Sequence, residues 1–319
     1  MIFIGLFLLS YIITYFIKNF AIKKSLLAKV TKRSSHLVPT PHGGGVAIAI
    51  VWFIGLFYFY MNGIVEKNIF YTLLLGLVIS IIGLIDDIFE LSFKLRVFAQ
   101  FSIAVLALYL LGGLERIDLY FFVIENQIIT SIFATILIVW FINLYNFLDG
   151  IDGYAGSEAI FLGIAGFLLF NDVLFLVLIS SVFGFLIWNW DKAKIFMGDT
   201  GSTLLGYNIA IFTIYYSNQD SMNLWIWLTL FGLFWFDATF TLIRRYKNGE
   251  NISQAHKKHA YQRLTQSGLS HSRVVLYAMI LNVVLFFLIY FSSYIFISFF
   301  ISMIFLYAFV KYADNKKIL

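Results

Sequence analysis

The chain has 319 residues, of which 61% are hydrophobic and only 12% charged, with a formal net charge of +5. Soluble domains carry roughly 25% charged residues, so this composition, with a mean hydropathy of +0.89, excludes an ordinary soluble fold. Cysteine is absent, which excludes disulfides, thiolate metal sites and cysteine nucleophiles.

A bilayer core takes about 20 mostly apolar residues per helix, and as few as about 17. Eleven apolar runs lie at 2–17, 44–60, 69–85, 97–111, 128–147, 157–170, 173–188, 202–216, 224–243, 275–291 and 292–310. They predict an all-α polytopic membrane protein with 11 transmembrane helices in a single domain over 1–319. Ten is the alternative count, since only Asn171 and Asp172 part the sixth run from the seventh. The first run has no basic residue ahead of it and is followed by Lys18, Lys23 and Lys24, so it reads as a span and not as a cleavable signal. The loops 18–43, 86–96, 143–156, 189–201, 244–274 and 311–319 hold 20 of the 22 Lys and Arg residues, and the other loops keep only Lys67 and Arg116. The positive-inside rule then sets the N-terminus out and the C-terminus in.

Under that topology five polar clusters share the cytoplasmic face, where ionisable residues at span ends are functional candidates. Lys32 to His36 lead through Pro39 and Pro41 into Gly43, Gly44 and Gly45. Those glycines would either bring backbone N–H groups to an anion or simply ease helix packing. Asp86 and Asp87 adjoin at the end of the third run, with Lys94 and Arg96 following. Adjacent carboxylates repel unless a cation or proton is shared.

Asn143, Asn146 and Asp149 recur every three residues, and Asp152 follows between two glycines. On one helix face they would offer the oxygen ligands that hard cations prefer. Phe196, Gly198, Asp199, Gly201 and Ser202 open the next polar turn, with an aromatic ring available for stacking. The longest basic loop carries Arg244, Arg245, His256, Lys257, Lys258, His259 and Arg263. The arginines suit a diphosphate, although Arg244 and Arg245 equally suit a positive-inside anchor. Carboxylate-rich neighbours favour magnesium over zinc for any metal there. Asp237 sits deep in the ninth run, and would line a cleft or brace helices.

At these clusters the chain resembles the polyprenyl-phosphate N-acetylhexosamine-1-phosphate transferases. The resemblance rests on Ile85-Asp86-Asp87, the run from Asn143 through Asn146 and Asp149 to Asp152-Gly153, the string from Phe196 to Ser202, and the histidine loop, in family order over about residues 31–264. It implies that Asp199 is the principal ligand of Mg2+ (with Mn2+ as a substitute) and that Asn146 lies near the metal and diphosphate. Asp86 and Asp87 would orient the metal or accept the acceptor's proton. Phe196 would stack on uracil, Asp152 would bond its edge, and Asp149 would lie in the nucleotide cleft. Arg96, assisted by Lys94, would sit near the diphosphate, while His256, His259 and Arg263 would hold the sugar or phosphates.

The translocase branch of the family carries adjacent histidines, whereas two lysines separate His256 from His259 here. The strings Arg33–His36, Pro39–Gly45 and His256–Arg263 look more like the subgroup that starts O-antigen or outer-core synthesis. The implied reaction moves an N-acetylhexosamine-1-phosphate, or a 6-deoxy relative, from a UDP-sugar to undecaprenyl phosphate and releases UMP. The implied setting is the bacterial inner membrane, with the lipid bilayer as partner, no nucleic acid, and a homodimer by analogy. A transporter is the alternative function, though its charges would sit near the bilayer midplane. A CDP-alcohol phosphatidyltransferase fits less well, because no arginine follows Asp152-Gly153-Tyr154-Ala155.

Overall fold

Each apolar run coincides with a helix or a bent pair of helices. The computed structural model describes residues 1–24, 27–28, 39–251 and 256–316, so Lys32 to His36, and Gln254 and Ala255 ahead of the histidines, lie outside the described residues. The long helices are α1 (Ile2–Lys23), α2 (Gly45–Met61), the pair α3 (Lys67–Leu74) and α4 (Gly76–Phe89), α5 (Phe93–Leu111), α6 (Gln127–Leu148), α7 (Tyr154–Phe170), α8 (Val173–Asn189) and α9 (Asp199–Gln219). They are followed by α10 (Asn223–Leu230), α11 (Gly232–Lys247), the short α12 (Ala260–Gln266), α13 (His271–Tyr290) and α14 (Ile295–Asp314). Two antiparallel pairs of two-residue strands complete the described elements: β1 (Leu27–Ala28) with β2 (Thr40–Pro41), and β3 (Ile117–Asp118) with β4 (Val123–Ile124).

The protein is thus all-helical and built for a membrane. Among the described residues six helices are long and apolar enough to cross a bilayer, and α10 with α11 makes a seventh if that bent pair counts as one span. The helices α2, α7 and α8 are apolar but shorter, at 17 residues each. The run 224–243 differs from the straight helix expected: it bends by 72° at Phe231. Helix α9 is long enough but too polar, because Ser202, Thr203, Asn208, Thr213 and Ser217 lie along it, all buried. It is an inner helix whose hydroxyls bond back to its own carbonyls, as Thr213 Oγ1 does to Ile209 O at 2.8 Å.

Lipid tails exert no hydrophobic pull between helices, so small residues that admit close backbone approach hold such bundles together. At Gly184 of α8 a Cβ would fall 2.5 Å from Phe7 O on α1, and at Gly206 of α9 one would fall 2.6 Å from Phe141 O on α6. Large apolar side chains on α1, α5, α13 and α14 remain exposed, among them Ile4, Val105, Ile280 and Ile304. They form the surface that lipid would cover. Helix starts are capped by Asn126, Asp172 and Ser270, whose side chains accept from the first-turn N–H groups of α6, α8 and α13.

Alternating helix directions give the bundle two polar ends. One gathers the starts of α2, α5, α9 and α13 and the ends of α4, α6, α11 and α14. The other gathers the β3–β4 hairpin, the α7–α8 turn and the end of α9, where Asn218 Nδ2 donates to Gly113 O at 2.9 Å and Trp225 Nε1 to Asp118 O at 2.6 Å.

Candidate active site

The first end contains a narrow cleft, open to solvent, lined by Gly83, Asp86, Arg96, Gln100, Asn143, Asn146, Asp199 and Thr203 among others. Close backbone approach builds it. A Cβ at Gly83 of α4 would lie 2.7 Å from the Asp199 carbonyl, so the end of α4 seats directly on the start of α9. Gly198 precedes α9 with φ of +77°, and a Cβ there would lie 2.7 Å from Asp87 Oδ2.

This contact gives Asp87 a definite position. Its Oδ1 accepts from Asp199 N at 2.9 Å, and its Oδ2 from Thr200 N at 3.2 Å and Thr200 Oγ1 at 3.0 Å. A carboxylate from one helix therefore caps the N-terminus of another, where orphan N–H groups and the helix dipole favour negative charge. Asp86 instead faces the cleft, with its Oδ1 accepting from Leu91 N at 2.6 Å and its Oδ2 from Arg96 Nη1 at 2.5 Å. The same Arg96 nitrogen reaches Asp199 Oδ2 at 3.3 Å. Asn146 Nδ2 donates to Asp199 Oδ1 at 2.8 Å and to Ser202 Oγ at 3.0 Å.

Asn143 lies one turn back and donates to Gln100 Oε1 at 2.6 Å. Gln100 had a signal in the sequence, four residues beyond Arg96 and so on the same helix face. Asp149 leaves the face shared by the two asparagines, because α6 ends at Leu148 and Asp149 is its C-cap with ψ of 50°. It keeps part of its surface open, yet burial first, and then the Asp199, Asp87 and Asp152 carboxylates, push its pKa well above the usual range. So many carboxylates around one guanidinium need further positive charge.

Oxygen donors of this kind suit a hard cation. Asp199 and Asn146 adjoin, and Asp86 stands across Arg96 from them. Among the described residues no three acidic or histidine side chains form a ready cage. Magnesium commonly takes only one or two carboxylates and completes its shell with water and substrate phosphates, so the residues present fit that ion.

Of the two readings open for the three glycines, an anion cradle or close packing, the geometry of Gly44 and Gly45 supports packing. Gly44 N donates to Phe196 O at 2.9 Å and Gly45 N to Met197 O at 2.8 Å, while Phe196 N donates to Pro41 O at 2.8 Å. A Cβ at Gly45 would lie 2.2 Å from Gly201 N. Two of the glycines therefore serve packing against the Phe196–Gly201 turn, which fixes the half-buried Phe196 at the site's edge. Asp152 lies on the neighbouring loop and accepts from Ala193 N at 3.1 Å. Lys94 is exposed on the first turn of α5, apart from the cleft lining.

The basic loop forms a second group. Asp237 accepts from Ala260 N at 2.8 and 2.9 Å, so it braces the start of α12 against α11. His259 is buried as the residue before α12, and His256 packs against it with ring centroids 4.7 Å apart. Burial, His259, Arg245 and Lys258 push the His256 pKa down to about 4, so its ring is neutral at pH 7. Arg263 pairs with Asp314, which also takes a two-pronged contact from Arg244 at 2.9 and 3.0 Å. Tyr261 joins this group to the carboxylate region: its hydroxyl donates to Phe147 O at 3.1 Å, and its ring fills the space a Cβ on Gly150 would need.

Comparison with known proteins agrees with this geometry. Residues 69–217 match the model for glycosyl transferase family 4, a stretch that holds Asp86, Arg96, Asn146 and Asp199 together. A probable undecaprenyl-phosphate N-acetylglucosaminyl 1-phosphate transferase of Bacillus subtilis is 31% identical over 86% of this chain and 79% of its own length. A decaprenyl-phosphate N-acetylglucosaminephosphotransferase of Mycobacterium leprae is 29% identical over 83% of this chain and 77% of its own. An undecaprenyl-phosphate alpha-N-acetylglucosaminyl 1-phosphate transferase of Thermotoga maritima is 28% identical over 80% of this chain and 79% of its own. With its carboxylates, amide and arginine brought into one cleft and these relatives matched along most of their length, the chain belongs to the polyprenyl-phosphate N-acetylhexosamine-1-phosphate transferase family.

Proposed function

We propose that this protein transfers an N-acetylhexosamine-1-phosphate from a UDP-sugar to undecaprenyl phosphate, yielding undecaprenyl-diphosphate-sugar and UMP. The observation that carries this reading is the meeting of Asp86, Arg96, Asn146 and Asp199 in one cleft. The relatives' names favour N-acetylglucosamine as the sugar and support the polyprenyl phosphate acceptor. The site end carries the loops rich in lysine and arginine, which supports a cytoplasmic active face, eleven crossings, and placement in the inner membrane. The product would start a cell-surface glycan such as O-antigen. The transporter reading finds no support in the geometry or the relatives.

In this mechanism an oxygen of the polyprenyl phosphate attacks the β-phosphorus of the donor in line. The new P–O bond forms as the bond to the bridging oxygen breaks, and that oxygen leaves with UMP. Such reactions depend on positioning and charge neutralisation more than on covalent help. Arg96, held by Asp86 and Asp199, places a guanidinium beside the diphosphate. Phe196 stacks on uracil, and Asp152 bonds its edge. Both carboxylates are engaged, Asp87 at the start of α9 and Asp86 on Leu91 N and Arg96, and Asp86 is the one that lines the cleft, so it faces the acceptor and any proton it carries. His256 and His259 bound the sugar side, together with Arg263. A magnesium ion held by Asp199 and Asn146 would supply the positive charge that the carboxylates call for.

The test is UMP release by purified protein with undecaprenyl phosphate and a panel of UDP-sugars, with and without EDTA. UMP from one donor, abolished by the chelator, is the expected result. A folded sample that releases no UMP from any donor overturns the reading.

A further inference from the structure

The first turn of α13 reaches into the loops that border the site. His271, the first residue of that helix, accepts at Nδ1 from Asp152 N at 3.3 Å, and the same nitrogen lies 3.2 Å from Asp152 Oδ2. Both side chains are largely covered, at 17% and 11% exposure. Asp152 Oδ2 accepts from Ala193 N at 3.1 Å, so this one residue ties the α6–α7 loop to α13 through its backbone N–H and to the α8–α9 loop through its carboxylate. Asn189 repeats the tie from the other side, its Oδ1 accepting from Gly153 N at 3.0 Å and its Nδ2 donating to Ile195 O at 2.9 Å. Next to His271, Ser272 Oγ donates to Asp191 Oδ2 at 2.7 Å.

We infer that His271 is a positioning residue for donor binding, acting through Asp152; the inference rests on the transferase reading given above. An Asp152 side chain free to rotate would search several rotamers before meeting the nucleobase. With its backbone N–H held by His271 and its Oδ2 by Ala193, the Asp152 carboxylate is kept in one orientation before the donor arrives. The ring nitrogen involved is Nδ1, which acts as the acceptor, and this defines the chemistry a substitute must supply. An asparagine amide oxygen sits about where Nδ1 sits, whereas a glutamine amide oxygen reaches toward the Nε2 position.

The experiment measures steady-state UMP release and direct UDP-sugar binding for wild type, His271→Ala, His271→Asn, His271→Gln and Ser272→Ala. His271→Ala is expected to raise the donor KM and Kd about fivefold, the scale of one neutral hydrogen bond. The acceptor KM should hold and kcat should stay within about twofold. Asn should restore most of the donor affinity and Gln should not. Ser272→Ala loosens the same turn without touching Asp152 and should leave the donor KM unchanged. If Asn and Gln behave alike, or Ser272→Ala raises the donor KM as much as His271→Ala, the residue only stabilises the turn and the inference fails. An active wild type with an unchanged donor KM in His271→Ala also overturns it, while a wild type that releases no UMP overturns the transferase reading instead.

Discussion

The two ends of the bundle are both polar, but they treat carboxylates in opposite ways. At the β3–β4 end neutral donors satisfy Asp172 and Asp118. Asp172 accepts from Leu174 N at 2.8 Å and Tyr216 OH at 2.6 Å, and Asp118 accepts from Tyr120 N at 2.8 Å. At the other end Asp86, Asp87, Asp149 and Asp199 crowd together, and among the described residues the ion pairs in the cleft run to Arg96. Isolated carboxylates on N–H and O–H donors are structural devices that cap helices and fix turns. Carboxylates placed against one another raise the energy of the empty fold, and such an arrangement is repaid only when a cation or a cationic transition state arrives.

That contrast breaks most sharply at the two strongest positions. Asp199→Asn should lower turnover by about 10³-fold or more, because a neutral amide is a poor partner for a divalent cation and for Arg96. Circular dichroism should show the fold intact. UMP release near the wild-type rate would remove Asp199 from the reacting centre. Arg96→Lys should cost less, about 10- to 100-fold in kcat/KM, since an ammonium cannot span Asp86 and a diphosphate at once. A variant as active as wild type would show that charge alone suffices there.

Much of the site could be read from the sequence, and the reasons for the rest are physical. Asp86, Arg96, Asn146 and Asp199 stood out because charges and amides at the ends of apolar runs have few structural excuses. The roles of neighbours were hidden because they depend on which helix meets which. Asp87 differs from Asp86 only in facing Thr200 and the start of α9. Gly44 and Gly45 suited an anion or close packing equally in the sequence, and it is their N–H partners, Phe196 and Met197, that decide for packing. His271 carried no motif, because its meaning lies 119 residues away at Asp152. The bend at Phe231 was likewise invisible in an unbroken apolar run.

A milder pair of substitutions sharpens the comparison through stability. Asp149→Asn removes a carboxylate that burial, and then its neighbours, already push toward the neutral form, so in metal-free buffer it should raise Tm while lowering activity. Asp172→Asn at the opposite end should do the reverse. It weakens the cap of α8 and the Tyr216 contact at a cost of about 1 kcal/mol, with turnover unchanged. Thermal scans of both variants beside UMP assays decide the matter. If Asp149→Asn loses stability, the crowding is not a strain on the fold.

The smallest effect is a pH dependence confined to one end. Among the described residues His42, His256, His259 and His271 lie at the site end, and His256 has its pKa pushed down to about 4 by burial and its cationic neighbours. Unfolded histidine titrates near 6.5, so between about pH 6.5 and 4 the unfolded chain binds more protons than the folded one at this position. Stability therefore rises with pH across that window and is lost on acidification. Between pH 7 and 5, where most exposed carboxylates keep their charge, hydrogen exchange should quicken in the 256–266 region and stay constant in the 117–124 hairpin. His256→Gln should flatten the response, because glutamine has no proton to take up. Equal quickening at both ends would mean that acid acts on the bundle as a whole, and the difference between its ends would then not extend to histidine.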